Sequence, residues 1–219
     1  MEQYEEKNMK YTLLIFGGKS TAIEIREVVL TYYPNIYKNV LLVIPDNELV
    51  NDKFDYITTK DLSEFISLNK CKYIVGFSNP NGRINIQQEM LSVEVLPVNV
   101  IHPSSMISKS AIIGLGNYIA AGSIISTNAK ICDNCIINYH VSIGHDSIIN
   151  DNSIILPGSR ISGNVTLGQR VLIGANSFIF QGILIGNDCI IDAMTQVIKD
   201  VEDSFICSSR TFKKYKSVN

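Results

Sequence analysis

From Ile107 to Val197 every sixth residue is Ile, Leu or Val, sixteen positions with no break in phase. An amphipathic helix repeats its apolar positions at 3.6 residues and a half-buried strand at two, so a strict period of six requires another geometry. Hexapeptide periodicity reads as a parallel β-helix. Each hexad is then one short flat face, three hexads close a triangular coil, and the in-phase aliphatics point at the axis; about five coils fit the run. A second inward position follows four residues after each aliphatic. From Asn117 to Thr195 it is held mostly by Ser, Ala, Cys and Val, small enough to turn a corner without overfilling the axis. Gly114, Gly144, Gly168, Gly174 and Gly186 follow directly after an aliphatic, where they are expected to supply permissive corner angles.

The repeat begins about halfway along the 219 residues, which divides the chain into domains 1–100 and 101–219. The first has another rhythm. Apolar strands at Tyr11 to Phe16, Val40 to Ile44, Tyr73 to Phe77 and Val93 to Val98 alternate with helical stretches at Thr21 to Thr31, Lys60 to Leu68 and Arg83 to Met90. That alternation predicts a small, Rossmann-like parallel α/β sheet, with ligands beyond the carboxyl ends of its strands. Gly17-Gly18-Lys19-Ser20 after the first strand looks like the end of a P-loop, but Leu13 stands where the motif needs its first glycine. A weaker expectation survives: Gly17, Gly18 and the following helix terminus hold a phosphate through backbone amides. Asp46, just past the second strand, either meets a ribose or base or is a surface turn residue.

A net charge of −2 gives no electrostatic reason to expect nucleic acid. No stretch approaches the roughly 18 to 20 apolar residues of a membrane span, and the amino terminus, MEQYEEKNMK, is too charged for a signal peptide. Five cysteines suggest no disulfide framework, so a soluble cytoplasmic protein is expected. Cys132 and Cys135 form a CxxC, yet Cys135 and Cys189 occupy small inward positions and no second CxxC completes a zinc site. They are read as core, and no metal site is expected.

The three histidines are His102, His140 and His145. His102, in Ile101-His-Pro-Ser-Ser, is read as part of a Pro-bounded connection. The hexad phase turns His145 outward beside Asp146, where a carboxylate raises imidazole basicity and suits it to general-base work. Eighteen residues on, Gly163 occupies the same column one coil away, leaving room for a ligand and an amide for an oxyanion. His140 faces outward between Gly122 and Gly158; it is either part of the same groove or a surface residue.

The repeat, Ile101-His-Pro-Ser, Asn138 with Ile143-Gly144-His145-Asp146, Pro157-Gly158 and Ser162-Gly163-Asn164-Val165 together resemble the sialic acid O-acetyltransferases and nucleotide-aminosugar N-acetyltransferases. The resemblance covers nearly the whole chain. It implies a left-handed β-helix, a homotrimer with active sites at subunit interfaces, acetyl-CoA as co-substrate in the groove between neighbouring helices, and a nucleotide sugar on the amino-terminal domain. By the same resemblance His145 is the catalytic base and Asp146 its partner. Gly163, with Ser162, contacts the acetyl thioester, Asn138 is an active-site residue, and Gly17, Gly18, Asp46, Asn138 and His140 are candidates to hold the substrate. The activity implied is N-acetylation of a nucleotide-linked amino-deoxy sugar for a surface glycan.

Three segments depart from the family pattern. Gly17-Gly18-Lys19-Ser20-Thr21 replaces a Gly-x-Gly-Gly-His loop although Glu24 is kept, Ile154 stands where some members have a second histidine, and Cys207-Ser208-Ser209-Arg210 replaces a Gly-x-Pro-Ala segment. A γ-type carbonic anhydrase fails on histidine order, because Asn150 stands where the partner histidine should follow His145. O-acetylation of a sugar hydroxyl, as on sialic acid, and a non-catalytic β-helix scaffold or regulatory protein are the alternatives.

Overall fold

Ile125, Ile143, Ile161 and Ile179 are strand partners at intervals of eighteen residues, so the sixfold spacing closes a three-faced coil. The structure is a computed structural model and describes residues 11–47 and 54–209; the charged amino terminus and Arg210 lie outside them. Two-residue parallel strands stack into a first face of seven, a second of six and a third of five. The fold is a left-handed parallel β-helix preceded by a small parallel α/β sheet.

The axis is filled as the phase requires: Ile119 through Val197 line it at 5% exposure or less at every in-phase position. The second inward positions are also buried, and their serines have a further duty. Ser123, Ser147, Ser153, Ser159 and Ser177 donate their hydroxyls to the carbonyls of Asn138, Ser162, Gly168, Gly174 and Asp192, each fifteen residues on. A buried carbonyl without a partner costs about 1–3 kcal/mol, which explains small polar residues here better than size alone does. Cys135 and Cys189 are fully buried among these positions, and burial pushes the Cys135 thiol up to about 12.

The corner glycines are there for a different reason from the one expected. The left-handed backbone angle falls three residues after each aliphatic, at Gly122, Asn128, Asn134, His140, Asp146, Asn152, Gly158 and Asn164 among others. Gly144, directly after its aliphatic, has no such angle; a Cβ there would lie 2.4 Å from the backbone N of Gly163 in the next coil. These glycines answer to coil-to-coil contact. At its ends the repeat also differs from the simple run. It begins one hexad early, at Val100–Ile101, and its last coil is two residues short, Cys207 pairing with Ile191.

In front lie β1 (Thr12–Phe16), α1 (Ser20–Tyr32), β2 (Asn39–Ile44), β3 (Tyr56–Thr58), α2 (Thr59–Leu68), β4 (Cys71–Val75), α3 (Pro80–Ser92) and β5 (Leu96–Pro97). The sheet order is β3-β2-β1-β4-β5, all parallel. β3 is too short to be read from sequence. β4 ends before Gly76-Phe77, because a Cβ at Gly76 would sit 2.6 Å from Ala22 Cα: the chain leaves the sheet where α1 presses on it. α3 starts earlier than expected, its first turn set by Pro80 and by Asn79 accepting the Gly82 N–H at 2.8 Å.

The two domains share a core. Tyr118, Ile136 and Ile154 of the first face point outward and pack with Ala22, Ile25 and Val29 of α1 and with Leu13 and Ile15 of β1. The Tyr118 hydroxyl donates to Glu24, and the Tyr33 hydroxyl to the Ile101 carbonyl.

Candidate active site

His145 leaves the corner between the second and third faces, two residues after the inward Ile143. Its Nδ1–H donates to Asp146 Oδ2 at 2.8 Å, and Asp146 Oδ1 accepts from Asn128 Nδ2 at 3.0 Å. The hydrogen bond from His145, then that from Asn128, holds the Asp146 carboxyl below the usual carboxylate range. An ionised Asp146 fixes the proton on Nδ1 and leaves the Nε2 lone pair free. The left-handed angle of Asp146, φ 57°, turns its carboxylate back towards His145. Asn128 was not anticipated, although it precedes Asp146 by one coil and was within reach of the same indexing.

Gly163 sits against this imidazole. A Cβ at Gly163 would lie 2.5 Å from His145 Nε2, so only a bare backbone leaves the imidazole room. The amides of this corner are also unusual. At the corner between the third and first faces the equivalent N–H groups of Leu115, Asp133, Gln169 and Asn187 each donate to an Asp or Asn carboxamide or carboxylate oxygen of the next coil. At the His145 corner that column reads Thr127, His145, Gly163 and Gln181, and the Gly163 N–H meets no acceptor among the described residues. A free donor beside a free imidazole nitrogen fits an acyl carbonyl and its nucleophile. Ser162 contributes its carbonyl to Ser147 and its N–H to Ile179, so its backbone serves the coil.

Asn138 and His140 lie on another corner, between the first and second faces. Asn138 Oδ1 accepts the Tyr139 N–H at 2.8 Å, and the exposed His140 ring covers Gly122, where a Cβ would be 2.5 Å from Nδ1. The strand Ser142–Ile143 lies between His140 and His145, which therefore stand at different corners of the coil. His102 accepts the Ser104 N–H at Nδ1, 3.1 Å, and packs edge-on against Tyr32.

In the α/β domain Gly17, Gly18, Lys19, Ser20, Thr21, Gly76, Phe77, Ser78 and Gly82 line a cavity of about 570 Å³ at the carboxyl ends of β1, β2 and β4. This is the switch point between β1 and β4, where open parallel sheets take ligands. Gly17 has φ 122°, α1 has no side-chain cap at Lys19, and Lys19, Ser20 and Thr21 at its start line the cavity, the setting in which a helix terminus takes an anion. Asp46 is not on the wall. Its Oδ1 accepts the Lys60 N–H at 2.9 Å and the Thr59 hydroxyl at 3.3 Å, and the Lys60 bond above all lowers its carboxyl pKa. It anchors the start of α2 next to Pro45 and Thr59, which do line the cavity.

A family model, Bacterial transferase hexapeptide (six repeats), matches residues 146–181. No curated protein matches the chain. Among solved structures, a variant of perosamine N-acetyltransferase from Caulobacter crescentus in complex with CoA and GDP-perosamine is 24% identical, with 89% of this chain and 92% of that chain covered and a TM-score of 0.83. The acetyltransferase domain of PglB from Neisseria gonorrhoeae in complex with acetyl coenzyme A is 22% identical over 90% and 95%, with a TM-score of 0.82. WeeI from Acinetobacter baumannii is 18% identical over 90% and 95%, at 0.83. The likeness spans both domains.

Proposed function

We propose that the chain is an acetyl-CoA-dependent N-acetyltransferase acting on the amino group of a nucleotide-linked amino-deoxy sugar, working as a cytoplasmic homotrimer. The observation that carries this is His145 Nε2 standing free against the bare backbone of Gly163, with Asp146 and Asn128 behind it. His145 takes the proton from the attacking amine as its nitrogen bonds to the acetyl carbon, the thioester C–S bond breaks and the sulfur leaves. The Gly163 N–H is placed to meet the charge that develops on the carbonyl oxygen. The cavity at the start of α1 fits the diphosphate of the sugar nucleotide. Solved relatives of the same two-domain shape carry CoA with GDP-perosamine, or acetyl coenzyme A, which supports both halves of the reading.

A trimer is supported by the apolar residues left facing out on the second and third faces, among them Met106, Ile124, Ile112 and Leu184, each at least 46% exposed. It would let the Asn138–His140 corner of one copy meet the His145 corner of another. The test is acetyl transfer across UDP-, dTDP- and GDP-linked amino sugars, with calorimetry of acetyl-CoA. Transfer to one of them with heat on acetyl-CoA addition is expected; neither transfer nor heat would leave a non-catalytic β-helix protein.

A further inference from the structure

The α/β domain has a further, larger cavity at the other end of its sheet. This notch of about 760 Å³ opens at the amino ends of β2 and β3, and it exists because β3 is short. Tyr56, Ile57 and Thr58 pair with Leu42, Val43 and Ile44, which leaves Asn39 to Leu41 with β1 on one side and no strand on the other among the described residues. The Leu42 N–H reaches the Asp55 carbonyl at 3.1 Å. Val40, two residues earlier, turns its N–H the same way, into the notch that it lines.

Arg26 of α1 gives the notch its chemistry. Its side chain is 13% exposed, and its guanidinium lies over the Phe54 ring, 5.3 Å from the centroid. The carboxylate facing it, Asp55, is 82% exposed and stands 3.7 Å from Nη2, too far for a hydrogen bond. The Arg26 Nε is buried and meets no hydrogen-bond partner. A guanidinium keeps its charge and carries five N–H donors, so burying it without acceptors is costly unless a ligand supplies them. Lys38 adds a second cation, so two positive groups line the notch against the single carboxylate of Asp55. Leu30, Phe54, Tyr56 and Phe65 make the rest of the wall apolar or aromatic.

We propose that this notch binds a small oxyanion, a carboxylate or a phosphate ester, carried on an apolar or aromatic body. Either group offers a pair of oxygens to the guanidinium fork, with Lys38 and the Val40 N–H beside it, while the rings take the body. The volume is that of a small-molecule site. No residue lines both this notch and the cavity at the start of α1; the helix runs between them, with Thr21 on one and Arg26 on the other. The site is independent of the transferase reading.

The experiment is calorimetry of the full chain titrated with phenylacetate and with phenyl phosphate. Benzyl alcohol supplies the body without the charge, and inorganic phosphate the charge without the body. At least one of the two anions is expected to bind about tenfold more tightly than both controls, and which one does so separates a carboxylate site from a phosphate site. Arg26→Met keeps an apolar stem over Phe54 and removes every donor. That variant and Lys38→Met, at an exposed position, should each weaken the binding by about fivefold or more. Should Arg26→Met fail to fold, Lys38→Met decides alone. Neither anion binding more tightly than the controls would overturn the site. So would binding that survives both substitutions, which would place the anion at the start of α1.

Discussion

Asp146 and Asn128 fix the His145 ring in one tautomer, and they do so at a solvent-facing corner where the pair contributes orientation more than stability: the side chains of His145 and Asp146 are 51% and 46% exposed. His145→Ala is expected to cost about 10² to 10⁴ in turnover with acetyl-CoA binding kept, the usual span for a general base; a loss below tenfold would assign the proton to another group. Asp146→Asn should cost less. Because its carboxyl pKa is lowered, Asp146 stays charged until pH falls through that lowered value, so its interaction with the base is present above that range and is lost only in acid. Asp146→Asn should therefore cost most at neutral pH and above, and the variant and native chains should converge in activity as pH falls through the lowered Asp146 range; a cost that does not change with pH would separate Asp146 from His145. Gly163→Ala gives a sharper contrast. Its Cβ would collide with the mobile end of His145 rather than with backbone, so activity should fall with little change in melting temperature. His145, Asp146 and Gly163 were legible because a strict eighteen-residue coil turns sequence distance into a column. Asn128 was legible by the same count, but an asparagine at a turn reads first as a turn residue.

At the scale of the corner, the structure separates two reasons for glycine that sequence cannot tell apart. Gly144 has an ordinary backbone angle and a Cβ there would lie 2.4 Å from Gly163 N, whereas Gly182 has φ 77° and nothing within 4 Å of its missing Cβ. Gly182→Ala should cost about 1 kcal/mol for the strained angle. Gly144→Ala drives a methyl into the backbone of the next coil and should cost about 3 kcal/mol, read as a clearly lower melting temperature. Equal losses would mean that the corner angle decides both. The hexad phase showed which positions turn inward, but the serine-to-carbonyl ladder and the Asp and Asn oxygens that close the third corner depend on hydrogen bonds between coils. Those bonds also show what sets the His145 corner apart: its column carries no Asp or Asn to occupy the Gly163 amide.

Across the whole molecule, the α/β domain was legible in outline and its attachment was not, because the contacts that join it lie far apart in the chain. Arg83 is the clearest case. It is fully buried at the start of α3; Nη1 donates to the carbonyls of Val75 and Phe77 at 2.9 and 2.8 Å, and Nη2 to the Asn134 carbonyl and Oδ1 at 2.6 and 2.8 Å. Burial lowers its pKa to about 10, which leaves it charged at neutral pH with carbonyl oxygens as its partners. One guanidinium thus ties the loop that walls the cavity at the start of α1 to a left-handed corner of the β-helix, and no single ammonium can span both sides. Arg83→Lys keeps the charge but abandons one side, at a cost of roughly 3 kcal/mol from carbonyls left without donors. Since the loop carries Gly76, Phe77 and Ser78, the KM for the sugar nucleotide should rise about tenfold while the KM for acetyl-CoA, which the proposed function assigns to the His145 corner, stays within twofold. A general loss of folded protein would lower the apparent activity without splitting the two constants. Constants that rise together, or neither rising, would remove Arg83 from any part in aligning the sugar with the base.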